Sequence, residues 1–141
     1  MARIFRTSDR IPVKIGDLSI IVSPLSFAQK TELQTIMLSA ANDPMRAVKG
    51  AAMAIRFAVK GVTGVETMDG EPWTPTFDAD GLLSEESCDE LLNLEENPKL
   101  IALCTQLVAG VPVNGVLDPH TRKPMDGITL ELPKVKKAKA R

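Results

Sequence analysis

Tyrosine is absent from this chain of 141 residues, and histidine occurs once, as His120. A single histidine leaves little room for proton-transfer chemistry near neutral pH, where imidazole is the side chain of choice. His120 stands in Asp118-Pro119-His120-Thr121-Arg122-Lys123-Pro124, and prolines on both sides with mixed charge predict a loop. Cys88 and Cys104 form no C-x-x-C pair and are expected to be reduced thiols packed as small hydrophobes. A zinc site would need both cysteines and the one histidine to converge without any recognisable ligand spacing. The glycines spell neither a phosphate-binding loop nor a dinucleotide fingerprint, and no G-x-S-x-G is present. No catalytic residue, cofactor or metal ligand is assigned on this basis, and the chain is expected not to be an enzyme.

Long apolar runs are missing too. The nearest candidate, Ala51–Val59, is broken by Arg56 and flanked by Lys49 and Lys60, whereas a membrane-spanning helix needs about 20 apolar residues. Lys14 and Asp17 interrupt what would be the apolar core of a signal peptide behind Arg3 and Arg6. The expectation is an unsecreted, cytosolic protein without a membrane partner.

The last absence is local. Residues 61–97 contain eleven acids and not one Lys or Arg. Residues 1–60 carry a balance of +5 and residues 98–141 another +5, so the net charge of −1 is a cancellation of blocks. Such segregation predicts attraction between unlike blocks, either within one copy or between copies. Nucleic acid is a poor fit, because phosphate binding needs several converging cations and the acidic block would repel a polyanion.

What is present reads as an α+β domain, mainly α: an N-terminal β-hairpin, about four helices and a flexible basic C-terminal tail. Ile11–Ile15 and Leu18–Val22 alternate around Gly16-Asp17 and predict a short hairpin, with Pro12 required at a sheet edge. Ser26 and Gln29 form a capping-box pattern opening a helix from Phe27 to about Ala41, with Leu33, Ile36, Met37 and Ala40 inward. Asp43-Pro44 opens a second helix to about Lys60. Its stripe Met45, Val48, Ala52, Ile55 and Val59 is apolar, and Ala47, Gly50, Ala54 and Ala58 permit close approach on another side. Between them lies a basic stripe of Arg46, Lys49, Arg56 and Lys60, which reads either as a solvated helix edge or as a docking surface.

Residues 62–80 are expected to be irregular or short extended structure, with Trp73 and Phe77 either anchoring this loop to the core or serving as a partner hot spot. Ser84 predicts a cap for a third helix over Glu85–Leu94, with Cys88, Leu91 and Leu92 inward and Glu85, Glu86, Asp89 and Glu90 forming an acidic surface. Asn97-Pro98 predicts a fourth helix to Ala109 with the stripe Leu100, Leu103, Cys104 and Leu107, packed on the third as an αα-hairpin. The expected organisation is one domain over residues 1–110, an irregular segment over 111–133, and a disordered basic tail over 134–141. Within the middle segment, Ile128–Leu132 is a candidate short strand added to the hairpin.

Three segments together carry a resemblance to a known family. They are the strand pair leading into Ser23-Pro24-Leu25-Ser26-Phe27; Val59-Lys60-Gly61-Val62-Thr63-Gly64-Val65 followed by Asp69-Gly70-Glu71-Pro72; and the leucine-bearing helix after Ser84 with its Pro98 successor. Over residues 11–109 this arrangement resembles the tail assembly chaperones of long-tailed bacteriophages. It departs from them after Pro72, where members often carry a phenylalanine and this chain has Trp73 and then Phe77. The resemblance implies a non-enzymatic protein of the infected host's cytoplasm. Such a protein coats the tape-measure protein, helps recruit tail-tube subunits and leaves the finished tail. It also implies that a translational frameshift can extend some members, for which Lys136-Lys137 would suit a slippery codon run. Two other classes compete: a structural virion component such as a neck or tail-completion protein, and a small regulatory nucleic-acid-binding protein.

Overall fold

The computed structural model describes residues 4–39 and 43–132. The predicted hairpin forms between β1 (Ile11–Ile15) and β2 (Leu18–Val22), antiparallel, with Ile15 opposite Leu18 across the Gly16-Asp17 turn. Alternation does what period two requires. Ile11, Val13 and Ile15 on β1 and Leu18, Ile20 and Val22 on β2 are all buried on one face.

α1 (Phe27–Ser39) begins at the capping box: the Ser26 backbone N–H donates to Gln29 Oε1 at 3.0 Å, and the Gln29 N–H donates to Ser26 Oγ at 3.1 Å. α2 (Pro44–Ala58) begins at Asp43, whose Oδ1 accepts from the Met45 N–H at 3.1 Å. It does not continue to Lys60. The chain passes without a loop into β3 (Val59–Thr63), which pairs antiparallel with β2 and places Gly61 opposite Ile21. The β-branched Val59, Val62 and Thr63 complete the sheet better than they would extend a helix, so tertiary pairing overrides the helical register.

β4 (Ile128–Leu130) pairs with β1, as the candidate strand at Ile128–Leu132 predicts, and the sheet order is β3-β2-β1-β4. Pro12 is therefore on an interior strand, not an edge. It is tolerated because β4 pairs only with Val13, Lys14 and Ile15, so no partner strand seeks the missing N–H, while the Pro12 carbonyl accepts from Glu131 N–H at 2.8 Å.

α3 (Glu85–Leu91) stops three residues short of Leu94, and α4 (Asn97–Gln106) stops short of Ala109, its last turn tightening into i→i+3 bonds from Leu107 to Gly110. Asn97 is not the cap of α4. Glu96 holds that place, and the Asn97 side chain instead closes the preceding turn by donating to the Leu92 carbonyl at 2.6 Å. Nor do α3 and α4 form a hairpin on each other; each packs on α2.

One hydrophobic core joins the sheet face to α2, α3 and α4, drawing in Ala54, Ile55, Phe57 and Ala58 with the predicted α4 stripe of Leu100, Leu103, Cys104 and Leu107. The small-residue side of α2 is used as expected: an added Cβ on Gly50 would stand 3.2 Å from Ile36 Cγ2, so α1 crosses close there. The predicted apolar face of α1 is mostly wrong. Leu33 alone is fully buried, Ile36 is half-buried, Met37 is exposed, and Ala40 lies outside the described residues. Met45 and Val48 at the start of α2 are 76% and 60% exposed, although they share a stripe with buried Ile55. The reason is reach: beyond the contact with α1 at Gly50, the bonds that tie α2 to later elements begin at Ala52, whose carbonyl receives the Cys88 thiol at 3.5 Å, and continue at Arg56. Residues 134–141, the predicted tail, lie outside the described residues.

Candidate interaction surfaces

The basic stripe of α2 divides into two halves with different fates. Near the sheet, the Arg56 guanidinium is clamped: Nε donates to the Leu83 carbonyl at 2.8 Å, Nη2 reaches Asp78 Oδ2 at 2.7 Å, and Nη1 stands 3.8 Å from Glu85. Lys60 Nζ donates to the Gly81 carbonyl at 3.1 Å, and partial burial, helped by nearby Arg10, lowers its pKa against the pull of Asp80. Both cations thus hold residues 76–84 against the end of α2. The basic and acidic blocks meet here inside one chain. At the other end, Arg46 makes only an exposed ion pair with Asp43 at 3.4 Å, and Lys49 is exposed with no ion pair among the described residues.

The first part of the acidic block takes the short extended form that is one of the two expected for it. It folds into two tight hairpins. In the first, Thr67 N–H donates to the Glu71 carbonyl and Trp73 N–H to the Val65 carbonyl, both at 2.8 Å. In the second, Asp78 N–H donates to the Leu82 carbonyl at 2.8 Å and Ser84 N–H to the Thr76 carbonyl at 3.0 Å. Trp73 is half-buried against the core, and its Nε1–H donates to Glu90 Oε1 at 3.1 Å, tying the first hairpin to α3. That contact is the loop-anchoring role. Ser84 caps α3 as predicted, accepting from the Ser87 N–H at 3.1 Å. Buried Ser87 receives the Thr76 N–H at 2.9 Å, a hydroxyl link that sequence spacing alone does not reveal. Glu86 and Asp89 point to solvent without an ion pair among the described residues, as do Glu66, Asp69 and Glu71.

Neither thiol is placed for chemistry. Burial pushes the Cys88 thiol up to about 11, with Asp89 adding to the effect, and full burial raises that of Cys104 further. Both are free. His120 sits exposed in a turn capped by Asp118, whose Oδ1 accepts the His120 N–H at 2.8 Å and the Thr121 N–H at 3.3 Å; those bonds hold its carboxyl below the usual range. The loop is fastened to α4 by Gln106, which donates to the Leu117 carbonyl at 2.6 Å and accepts from its N–H at 2.9 Å.

Two apolar surfaces lie outside the predicted charge stripes. One is the end of the α1–α2 pair, where Met37, Leu38, Met45 and Val48 are exposed, Leu38 at 81%. The other is an open groove of about 670 Å³ between α1 and residues 105–122, with Met37, Val108, Val111, Pro112, Val113 and Leu117 along it.

Compared with protein-family models, with curated proteins and with solved structures, this chain matches none of them.

Among the described residues no three metal-ligating side chains gather, and no helix is long and apolar enough to cross a membrane. Met37, Met45 and Val48 do not read as a surface in the sequence because their helical spacing is that of a core face, and Leu38 lies outside both predicted stripes.

Proposed function

We propose that this chain is a non-enzymatic assembly chaperone of the phage-tail type, acting in the host cytoplasm. It would coat a tape-measure protein, help recruit tail-tube subunits and associate with further copies of itself. The observation that carries the reading is the bare end of the α1–α2 pair. The domain has a complete core, yet leaves Leu38, Met45 and Val48 on two adjoining helix ends beside Arg46 and Lys49. Apolar side chains grouped on a helical surface fit the apolar stripe of a long amphipathic client helix. Cations at the rim suit acidic positions on the client and favour weak, exchangeable contacts, since exposed charge pairs contribute little each. The buried thiols and the committed Arg56 and Lys60 offer neither a nucleophile nor a phosphate-binding track, which favours protein binding over catalysis or nucleic acid.

The test is co-expression with the tape-measure protein encoded by the same genome. The wild-type chain should hold that protein in solution as a complex. A Leu38→Asp/Met45→Asp variant should fold normally and lose the complex, because both changes fall at exposed positions. A variant that solubilises the tape-measure protein as well as the wild type would refute the assignment of this surface. Recovery of the chain in mature particles by mass spectrometry would favour the structural virion component instead.

A further inference from the structure

The first acidic hairpin ends in a feature that its own fold does not use. Met68, at the tip of the turn Thr67-Met68-Asp69-Gly70, is 104% exposed. The turn is closed by the Gly70 N–H on the Thr67 carbonyl at 2.9 Å and stiffened by the Glu71 N–H on Thr67 Oγ1 at 3.3 Å. Below it, Trp73 fixes the stem to α3. The methionine is thus held out on a braced stem with Glu66, Asp69 and Glu71 around it, none of them ion-paired among the described residues. A preformed apolar tip loses little freedom when it docks.

The groove beside α1 has the complementary character. Its sides are apolar, and its volume of about 670 Å³ exceeds what one side chain fills. Arg122 stands on its rim with Lys123 next in sequence, both exposed and neither ion-paired among the described residues. The one carboxylate there, Asp118, is already held by two backbone N–H groups of its own turn. Free charge at the rim is therefore cationic, where free charge around Met68 is anionic.

We propose that copies of this chain associate head to tail, the 65–73 hairpin tip of one copy seating Met68 in the α1 groove of the next. The proposal rests on the self-association in the reading above and names its two surfaces. It replaces one of the two pairings the charge blocks allow, basic stripe against the acidic block of another copy, half of which is consumed inside each copy by Arg56 and Lys60. Tip and groove are different surfaces, so each bound copy leaves one of each free and the chain of contacts stays open.

The experiment uses the full chain and three single variants: Met68→Asp, and Val113→Asp or Arg122→Glu in the groove, all at exposed positions. Sedimentation equilibrium at low salt should show concentration-dependent assembly of the wild type. Each variant alone should assemble roughly tenfold or more weakly, the loss expected when a buried methionine-sized contact is replaced by charge. Mixing Met68→Asp with either groove variant should give a one-to-one heterodimer that grows no further, because one sound tip and one sound groove remain. A monomeric wild type, a variant that assembles like the wild type, or a mixture that stays monomeric would each overturn the proposal. None of these outcomes touches the co-expression test, so a failure of self-contact and a failure of client binding are separable.

Discussion

Arg56 is where the electrostatics of this fold can be weighed against its hydrogen bonding. Its side chain is 21% exposed, so an Arg56→Met change keeps the buried stem and removes the guanidinium. The bond from Nε to the Leu83 carbonyl is a charged donor on a backbone acceptor, a class that contributes roughly 1.5–3 kcal/mol. The partners on the other side are open to water: Asp78 is 44% and Glu85 84% exposed, so those ion pairs together add about 0.5 kcal/mol after screening. The expected loss is therefore about 2–3.5 kcal/mol. At a urea slope of about 2 kcal/mol/M it lowers the midpoint by about 1 M or somewhat more. Asp78→Asn should cost less than about 1 kcal/mol, and that smaller cost should shrink in 1 M NaCl while most of the Arg56→Met cost persists. Equal losses in the two variants, or a loss below about 0.5 kcal/mol for Arg56→Met, would refute the assignment of the clamp to the Leu83 carbonyl.

Gly64→Ala should destabilise by about 3 kcal/mol or more in the same titration, since its backbone is at φ 87° and an added Cβ would lie 2.6 Å from the Asp17 carbonyl oxygen. Gly70→Ala, at φ 81° with open space around it, should cost only the strain of about 1 kcal/mol. The thiols make stability fall at alkaline pH. A thiol whose folded pKa is raised stabilises the fold below its unfolded value of 9.0, and that contribution is lost as pH rises through the folded value, about 11 for Cys88. Thermal midpoints should therefore drop between pH 9 and 11, and Cys88→Ala should flatten that drop; an unchanged pH profile would refute the assignment. The chain has no tyrosine to titrate in the same window.

The local signals of the sequence read correctly wherever the partner of a group lies within a few residues. Ser26 with Gln29, Asp43 with Met45, and Ser84 with Ser87 all form the predicted caps because each closes its bond within one turn. The hairpin and β4 are legible from alternation. β3 is not, because Val59 continues the i, i+4 spacing from Ile55 and no glycine or proline separates helix from strand until Gly61. The place of Pro12 depends on a strand at Ile128, and the exposure of Met37 and Val48 on which parts of α1 and α2 the rest of the domain covers. The basic stripe is visible as spacing, but its division into clamped Arg56 and Lys60 and free Lys49 requires contacts with residues 78–83. The groove is assembled from α1 and residues 105–122, which no window of sequence spans.

What remains of the charge pattern after these internal contacts bears on function. α3 carries Glu85 with Asp89 and Glu86 with Glu90, two like-charge pairs at i, i+4 spacing, which cost an isolated helix roughly 0.2–0.5 kcal/mol each. Glu85 and Glu86 recover some of this at the positive end of the helix dipole, but Asp89 and Glu90 stand toward the end where carbonyls are unpaired and carboxylates are unfavourable. Arg56 reaches only Glu85 of the four, and at 3.8 Å; the Trp73 indole relieves Glu90. Glu86 and Asp89 have no ion pair among the described residues. A cationic partner surface would relieve that repulsion on contact. Charge that weakens the isolated fold and strengthens a contact makes that contact reversible, because salt or a competing surface can undo it, and reversibility is what the proposed coating role requires.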